Sequence, residues 1–465
     1  MPDRLSPLDA SFLFMEEPTT PMHVGGLMTF RPPGPGAFDT EAFVRLIGDR
    51  LGSVPRYRQK IREVPGGLGL PVWVDDPAFD LDYHVRRSAL PAPGTDAQLR
   101  ELVGRLQGRP LDRARPLWEI YVVEGLSDGR FAVITKTHHA MVDGLASIDV
   151  GAVLLDLTPQ PRPSPPDEWR PRREPSTPAL VASAVGEYVR RPWTAVETAR
   201  RAAADVRGAA RKVLRTTGAV GVATFSAARG APSGPLNVTI GRQRRYGTSA
   251  GDLDDYKAIR KCHGGTVNDV VLAVTTGGLR RWMATRGEPV TPATTVRAMV
   301  PVSVRRDDGG GPAAGNQVSA YFVDLPVGEP DPLGRLARIT VSMEAHKRSG
   351  EAVGASTLVD MVGLTPPTVH GLGARVASSL SSRMFNVVVT NVPGPQFPLY
   401  AMGAQMLDMY PVVPLAKGQA VSIGITSYDG GVYFGLNADR DAMPDVDVLA
   451  ASMGESLAEL RRTVS

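Results

Sequence analysis

A proline-rich stretch divides this 465-residue chain into two blocks in which strand-like and helix-like patterns alternate. It covers about residues 159–178. Because proline lacks an amide N–H and fixes its own φ, such a stretch can neither continue a helix nor enter a central sheet. The chain is also longer than a typical single hydrophobic core. We therefore predict an α/β protein with two domains, residues 1–158 and 236–465, joined by a proline-rich and basic helical linker over residues 159–235.

Hydrophobic periodicity predicts regular elements in both blocks. In the first block we expect strands over Met22–Phe30, Leu117–Val123 and Phe131–Thr137, and a helix over Thr40–Leu51. In the second block we expect helices over Val270–Ala284 and Asp331–Arg348, and strands over Gln317–Val327, Phe385–Val389, Val421–Ser427 and Val432–Leu436. The glycine-rich segment Asp307–Gly315 is predicted to be a mobile loop.

The strongest chemical signal is the heptad His138-His139-Ala140-Met141-Val142-Asp143-Gly144, which lies between a predicted strand and an apolar, helix-like segment. Only seven histidines occur in the chain, and two are adjacent here. A histidine can take the proton of a hydroxyl, because its ordinary pKa of about 6.5 lies near working pH. Adjacent side chains in extended backbone point in opposite directions, so only one of the two faces a given site. Gly144 permits a tight turn and the close approach of a substrate.

Composition excludes several classes of protein. The single cysteine, Cys262, rules out an internal disulfide and suits a reducing compartment. The first residues lack a basic region followed by a long apolar one, and no 18-residue stretch is apolar and uncharged, so we expect neither a secretory signal nor a spanning helix. No metal-ligand motif, P-loop or dinucleotide fingerprint occurs, and no basic cluster with a groove-reading element indicates nucleic-acid binding.

The region after the prolines is helix-like and basic. Between Ala179 and Arg215 there are eight basic and three acidic residues, a local charge of +5, against +4 for the whole chain. Two interpretations stay open, a solvated linker helix and a segment that docks on an anionic membrane, where each nearby basic residue contributes about 1 kcal/mol.

Two further motifs look catalytic but are better explained otherwise. Residues Gly247–Gly251 fit the G-x-S-x-G pattern of serine hydrolases, but that turn requires a buried apolar strand before it, and Arg242–Tyr246 is polar. Cys262 has basic neighbours that would favour a thiolate, yet no further residue supports a nucleophile there, so a structural or surface thiol is the better interpretation. No clean signature for binding coenzyme A is present.

Further segments, in order and spacing, resemble the bacterial wax ester synthase/diacylglycerol acyltransferase family within the CoA-dependent acyltransferase superfamily. They are Leu5–Asp9, Phe12-Leu13, Pro21–Gly25, Arg115–Glu119, the heptad, Val267–Val270, Pro301–Arg305, Gly315-Asn316 and Thr390–Pro395. The resemblance spans about residues 5–460. It implies two chloramphenicol-acetyltransferase-like α/β sandwich domains with the active site at their junction.

The resemblance also implies roles for single residues. His139 is the base, and His138 packs or hydrogen-bonds behind it. Asp143 either orients a histidine, as in a catalytic triad, or forms a structural pair with Arg305, which the resemblance favours. Asn268 is the candidate oxyanion donor with Asp269 as support, although helix capping after Thr266 explains that pair equally well. Pro116–Trp118 is expected to pack in a strand, and Asn391–Pro395 to form a turn.

The function implied is acyl transfer from acyl-CoA to the hydroxyl of diacylglycerol, and to long-chain alcohols as a second acceptor class, directly and without an acyl-enzyme. No cofactor is expected, acyl-CoA being a co-substrate. The expected location is cytoplasmic, peripheral to the inner membrane or lipid droplets. Two alternatives remain: a condensation-type or polyketide-associated acyltransferase with another acceptor, and a non-catalytic lipid-binding or droplet-coating protein.

Overall fold

The computed structural model describes residues 3–34, 36, 38–141, 151, 153–164, 167–190, 230–303, 318–349, 353–354, 381 and 383–464. Nine α-helices are described: α1 Pro7–Met15, α2 Thr40–Arg50, α3 Leu81–His84, α4 Asp96–Gln107, α5 Thr177–Arg190, α6 Leu253–His263, α7 Val267–Thr285, α8 Pro332–Ser349 and α9 Val446–Arg461. Sixteen strands are described: β1 Asp3–Arg4, β2 His23–Arg31, β3 Gln59–Arg62, β4 Val72–Asp75, β5 Val85–Ala89, β6 Trp118–Glu124, β7 Phe131–His138, β8 Arg244–Asp252, β9 Val296–Ser303, β10 Val318–Leu325, β11 Val353–Gly354, β12 Val387–Pro393, β13 Tyr400–Ala401, β14 Ala404–Val412, β15 Val421–Tyr428 and β16 Gly431–Asp439. All the strands and helices named from periodicity are present, with ends that differ by a few residues.

The first sheet is a sandwich layer with helices on both faces. Its strand order is β13-β14-β2-β7-β6-β5, and β6 and β7 form the expected antiparallel hairpin. Alternate residues along each strand face opposite sides of a sheet. Phe30 therefore packs with Phe43 of α2, whereas Leu27 packs with Leu102 of α4. A separate three-stranded sheet, β1-β4-β3, lies beside this layer.

The second sheet has seven strands in the order β11-β10-β9-β12-β15-β16-β8. One hydrophobic core joins it to helices α6 to α9. Helix α7 is mostly buried, and it approaches α9 closely because Gly277 presents no side chain toward Ser456. The helix is thereby packed tightly into the core of the second sheet.

The C-terminal half of the chain contributes two strands, β13 and β14, to the first sheet. Strand β14, from the C-terminal half, pairs antiparallel with β2, from Gln405 opposite Arg31 to Val412 opposite Gly25. The predicted division at residues 158 and 235 did not foresee this strand in the first sheet, and as a domain assignment it stays a prediction. The result is a continuous first sheet built from both halves.

Up to Ser176, the described part of the proline-rich segment has no regular structure, as predicted, but this part of the chain and the residues just before it are bound to the N-terminal half. Asp156 accepts two hydrogen bonds from the Arg50 guanidinium, at 2.7 and 2.9 Å, with both side chains buried. Asp167 pairs with Arg58, and Glu174 with Arg62. The first residues of the predicted linker therefore lie along the N-terminal half. Beyond α5, the basic segment lies outside the described residues, as does Asp307–Gly315.

Candidate active site

The heptad begins where β7 ends. His138 is the last residue of the strand, and His139 opens a 3₁₀ turn over His139–Met141. The amide of His138 donates to the Leu117 carbonyl at 2.9 Å, and the amide of His139 donates to the Met22 carbonyl at 2.8 Å. The backbone of both histidines is therefore fixed by flanking strands. Their side chains enter different surroundings.

His138 is fully buried, and its two ring nitrogens face different groups of the protein. Its Nδ1 accepts a hydrogen bond from the amide of Ala140 at 3.0 Å, and its Nε2 lies 3.6 Å from Oε1 of Glu16, beyond hydrogen-bond distance. Nδ1 is therefore already occupied, and Nε2 points at a carboxylate of the protein.

Glu16 lies behind the histidines of the heptad and contacts one arginine and two imidazole rings. It accepts two hydrogen bonds from the Arg113 guanidinium, at 2.6 and 2.9 Å, and its Oε1 lies 3.5 Å from Nε2 of His23. Burial acts to raise the pKa of Glu16, but hydrogen bonds with His138, His23 and Arg113 hold it well below its usual range. Burial lowers the pKa of His23 to about 4, so this ring is neutral at working pH. A carboxylate thus stays ionised directly behind the heptad.

His139 is half-buried and lies flat against an aromatic ring. The ring centroids of Phe12 and His139 are 3.9 Å apart, with an interplanar angle of 18°. Burial lowers the pKa of His139 to about 4, against an opposing contribution from its own backbone carbonyl. The imidazole is therefore neutral and able to accept a proton throughout the neutral pH range. That is the state a general base requires.

One short helix supplies both contacts. Phe12 lies in α1 and Glu16 is the residue that ends it, so the two are four positions apart and share a helix face. Ser6 caps the N-terminus of α1 by accepting from the amide of Asp9, and Arg113 donates to the Leu13 carbonyl near its C-terminus at 2.8 Å. The sequence indicates Phe12 and His23 only as parts of family segments, and it does not single out Glu16 or Arg113. The spacing of four residues between Phe12 and Glu16, ahead of β2, is the signal that could have identified Glu16.

At the N-terminus of α7, Asn268 and Asp269 make different contacts. Thr266 and Asp269 form a reciprocal capping box, in which the carboxylate accepts from the Thr266 amide at 2.8 Å. Capping therefore uses Asp269 alone. Asn268 is half-buried, and its Oδ1 accepts a hydrogen bond from Nδ2 of Asn391 at 3.1 Å.

The segment Asn391–Pro395 was predicted as a turn, and that prediction is wrong for its first three residues. Strand β12 continues to Pro393, paired in parallel with β15. Pro393 is tolerated because β9 pairs with β12 only at Val387 and Val388, so within the described strands no ladder on that side needs the missing N–H. Three other residues named from the heptad and its tether, Asp143, Gly144 and Arg305, lie outside the described residues.

The remaining motifs have the expected bland explanations. Residues 247–251 lie in the middle of β8 and pair with β16, so they form no nucleophile elbow. Cys262 is exposed on α6. Trp118 is buried in β6, where its indole donates to the Tyr57 carbonyl at 2.7 Å. Across the described residues, no group of histidine, cysteine and acidic side chains has the arrangement to hold a metal ion.

Comparison with family models covers most of the chain. The model described as "Wax ester synthase/diacylglycerol acyltransferase catalytic domain" matches residues 5–271, and the family's C-terminal domain matches residues 314–461. The chain belongs to the wax ester synthase/diacylglycerol acyltransferase family. It is therefore an acyltransferase, which confirms the family and enzyme class predicted from the sequence.

Relatives of this family member match along its whole length. The probable diacylglycerol O-acyltransferase tgs2 of Mycobacterium tuberculosis is 35% identical over 485 residues, covering 99% of each chain. The solved wax ester synthase/diacylglycerol acyltransferase of Marinobacter aquaeolei VT8 is 27% identical, with a TM-score of 0.68 and 99% coverage of each chain. Polyketide synthase associated protein 5 of Mycobacterium tuberculosis, at 14% identity, TM-score 0.53 and 98% coverage of each chain, shares the fold. The predicted fold class is confirmed.

Proposed function

We propose that this chain transfers a long-chain acyl group from acyl-CoA to the hydroxyl of diacylglycerol, forming triacylglycerol, and that long-chain alcohols are a second acceptor class. The observation that carries the proposal is the half-buried imidazole of His139, stacked on Phe12 directly after β7, in a heptad that lies within the matched catalytic domain. Full-length similarity to proteins named diacylglycerol O-acyltransferase supports the acceptor class. The reaction needs no cofactor, since acyl-CoA is consumed as a co-substrate.

The proposed chemistry is a direct transfer within a ternary complex. His139 takes the acceptor's hydroxyl proton as its oxygen attacks the thioester carbonyl carbon. The side-chain N–H₂ of Asn268 donates to the oxyanion that forms. The intermediate then collapses, the C–S bond breaks, and the proton on His139 passes to the CoA thiolate, which restores the enzyme. We propose that Asp143 and Arg305 hold the heptad loop and that Gly144 leaves room for the substrate; these three residues lie outside the described part of the chain.

A competition experiment tests this function. Labelled palmitoyl-CoA is offered with diacylglycerol and hexadecanol together, and the products are separated by thin-layer chromatography. The proposal expects labelled triacylglycerol as the main product, with a smaller amount of wax ester. Turnover of neither acceptor would overturn it, and so would a stoichiometric acylated residue formed from acyl-CoA alone.

The stacked ring of Phe12 gives a prediction for the same reaction. Phe12→Leu keeps an apolar cover but removes the flat surface against which His139 lies. We expect kcat to fall about tenfold, which corresponds to about 1.4 kcal/mol and is within the range of an aromatic pair. The matched control is Phe38→Leu, since Phe38 stacks on Phe131 at 3.6 Å in the same way without contacting the heptad. Equal kcat values in the two variants would contradict the prediction.

Its substrates imply that the enzyme works at a lipid surface. None of the described helices combines the length and the apolar character that a membrane-spanning helix needs. The association proposed is peripheral, on the cytoplasmic side of the membrane or on lipid droplets. We propose that the basic segment Arg190–Arg215 contributes to docking on anionic lipid.

The docking segment predicts a loss of vesicle binding. Replacing Arg200, Arg201, Arg207 and Arg211 together by glutamine should weaken co-sedimentation with anionic vesicles, and neutral vesicles serve as the control. Because each charge contributes about 1 kcal/mol, four replacements should lower binding by about 100-fold or more at low salt. Unchanged binding at low salt would contradict the proposal.

A further inference from the structure

We propose that Asn391 is a positioning residue that fixes the side-chain amide of Asn268 with its N–H₂ group turned toward the reacting carbonyl. This inference rests on the proposed function, in which Asn268 donates to the oxyanion. It assigns a task to the Asn391–Pro395 segment, whose purpose the sequence alone left open.

The direction of the hydrogen bond carries the argument. Nδ2 of Asn391 lies 3.1 Å from Oδ1 of Asn268, so Asn391 donates and Asn268 accepts. A primary amide has one acceptor oxygen and one N–H₂ donor group, on opposite sides of its carbon. Once the oxygen of Asn268 is taken, its two N–H donors point away from Asn391. An oxyanion donor has to be oriented before the charge develops, because a donor that rotates freely loses most of its effect.

Both amides are carried by rigid elements. Asn268 lies in the first turn of α7, next to the capping box of Thr266 and Asp269, on a helix buried in the core of the second sheet. Asn391 lies in β12, opposite Ile425 of β15. The contact therefore joins a helix N-terminus to a strand end, and neither partner depends on a loop.

The residues after Asn391 hold it in place. The Thr426 hydroxyl donates to the Val392 carbonyl at 2.8 Å, and the Asp429 amide donates to the Pro395 carbonyl at 3.1 Å. Gly394 lies so close to β15 that a Cβ there would be 2.3 Å from the Ser427 carbonyl oxygen, so only glycine fits. The segment after Asn391 is thus a strand end held by hydrogen bonds to neighbouring residues, and this fixes the position of the Asn391 backbone.

A purely structural role explains the contact less well. Both side chains are half-buried, and a neutral hydrogen bond of this kind contributes only about 0.5–1.5 kcal/mol to stability. Among the described residues, β9 pairs with β12 only at Val387 and Val388, so Asn391 lies beyond the last residue pair of these two strands and does not serve that ladder.

Two substitutions at Asn391 separate orientation from packing. Asn391→Ala removes the donor and lets the Asn268 amide rotate, so we expect kcat to fall about tenfold, the equivalent of one neutral hydrogen bond. Asn391→Asp offers only acceptor oxygens, which capture the N–H₂ of Asn268 and turn its oxygen toward the site. That variant should approach the loss of Asn268→Ala, about 10²- to 10³-fold for one oxyanion donor. The KM for acyl-CoA should stay within about threefold in each.

A double-mutant cycle distinguishes this mechanism from the mere charge of the new aspartate. With Asn268→Ala already present, Asn391→Asp should cause no further loss of kcat. A further large loss would show that the charge acts on the reacting centre directly, and it would overturn positioning through Asn268. The matched control is Asn437→Ala on β16 of the same sheet, where the amide donates to the Val413 carbonyl at 2.8 Å. That control should lower the melting temperature and leave kcat unchanged.

The two levels of the proposal fail differently. If Asn268→Ala keeps full kcat, the oxyanion role of Asn268 is wrong, and the positioning inference falls with it. If Asn268→Ala is slow but Asn391→Ala and Asn391→Asp turn over like wild type, only the inference about Asn391 is overturned. If both Asn391 variants lose kcat equally and in proportion to their melting temperatures, the residue is structural.

Discussion

His139→Ala should lower kcat by about 10²- to 10⁴-fold, the usual contribution of a positioned general base. The acceptor hydroxyl would then attack without a group to take its proton, since Nδ1 of His138 accepts from the Ala140 amide and its Nε2 faces the Glu16 carboxylate at 3.6 Å. Substrate binding should change little, so the effect belongs in kcat, with KM near its wild-type value. The measurement is steady-state turnover of palmitoyl-CoA with diacylglycerol, with folding checked by thermal melting.

Two variants serve as controls for this result. His263→Ala removes a half-buried histidine at the end of α6, whose Nε2 lies 2.9 Å from the Thr463 hydroxyl, and it should leave kcat unchanged. His138→Ala should instead lower stability, because the Ala140 amide and the Glu16 carboxylate lose a buried partner. A fully active His139→Ala protein would remove His139 as the base. A stable but inactive His138→Ala protein would transfer that role to His138.

Asp156→Asn should destabilise the protein by about 3–5 kcal/mol, the cost of leaving one member of a buried ion pair uncompensated. The Arg50 and Asp156 side chains are only 3% and 2% exposed. Arg50 also donates to the Val153 carbonyl at 3.1 Å, and the Asp156 backbone bonds to Tyr400 of β13 at 2.8 and 2.9 Å. The ion pair therefore joins α2, the chain that leaves the heptad, and a strand from the C-terminal half. Urea unfolding of wild type and variant measures the difference.

The chain contains its own matched control for burial. Asp3 pairs with Arg56 at 2.6 Å, and the two side chains are 58% and 35% exposed. Asp3→Asn should therefore cost about 1 kcal/mol or less, because water reaches the charge that remains. If the two variants lose equal stability, burial does not set the Arg50–Asp156 pair apart, and the larger loss expected for Asp156→Asn is wrong.

The fold was largely predictable because apolar residues recur along the sequence at the spacing of strands and helices. Strand β7 appeared as an apolar run, and α2 as a helix with apolar residues on one face. Strand β14 was missed because its pairing with β2 joins residues about 380 positions apart, and no local pattern encodes that distance. The end of β12 was missed because Pro393 and Gly394 indicate a turn if the strand is assumed to have a neighbour on both sides. Here β12 pairs at Pro393 with β15 alone among the described strands.

In the candidate site too, local motifs were predictable, and contacts between residues distant in sequence were not. The motifs identified His138, His139, Asn268 and Asp269, which are short-range signals. Glu16 and Arg113 are 97 residues apart and meet only in the folded protein. The contact between Asn268 and Asn391 likewise spans 123 residues. Sequence patterns therefore indicate which residues react, whereas the groups that orient them appear only in three dimensions.

The pairing of β14, from the C-terminal half, with β2 constrains the order in which the protein can fold during synthesis. During synthesis, the edge of β2 has no partner on the β14 side until Val412 has left the ribosome, so the first sheet cannot be completed co-translationally from the first half alone. An open apolar strand edge is a site for pairing with other chains. A fragment that ends within the proline-rich segment should therefore aggregate, whereas co-expression with the remaining half should restore a soluble complex. For this enzyme, the proline-rich segment interrupts the regular secondary structure, but it does not separate two parts that fold independently.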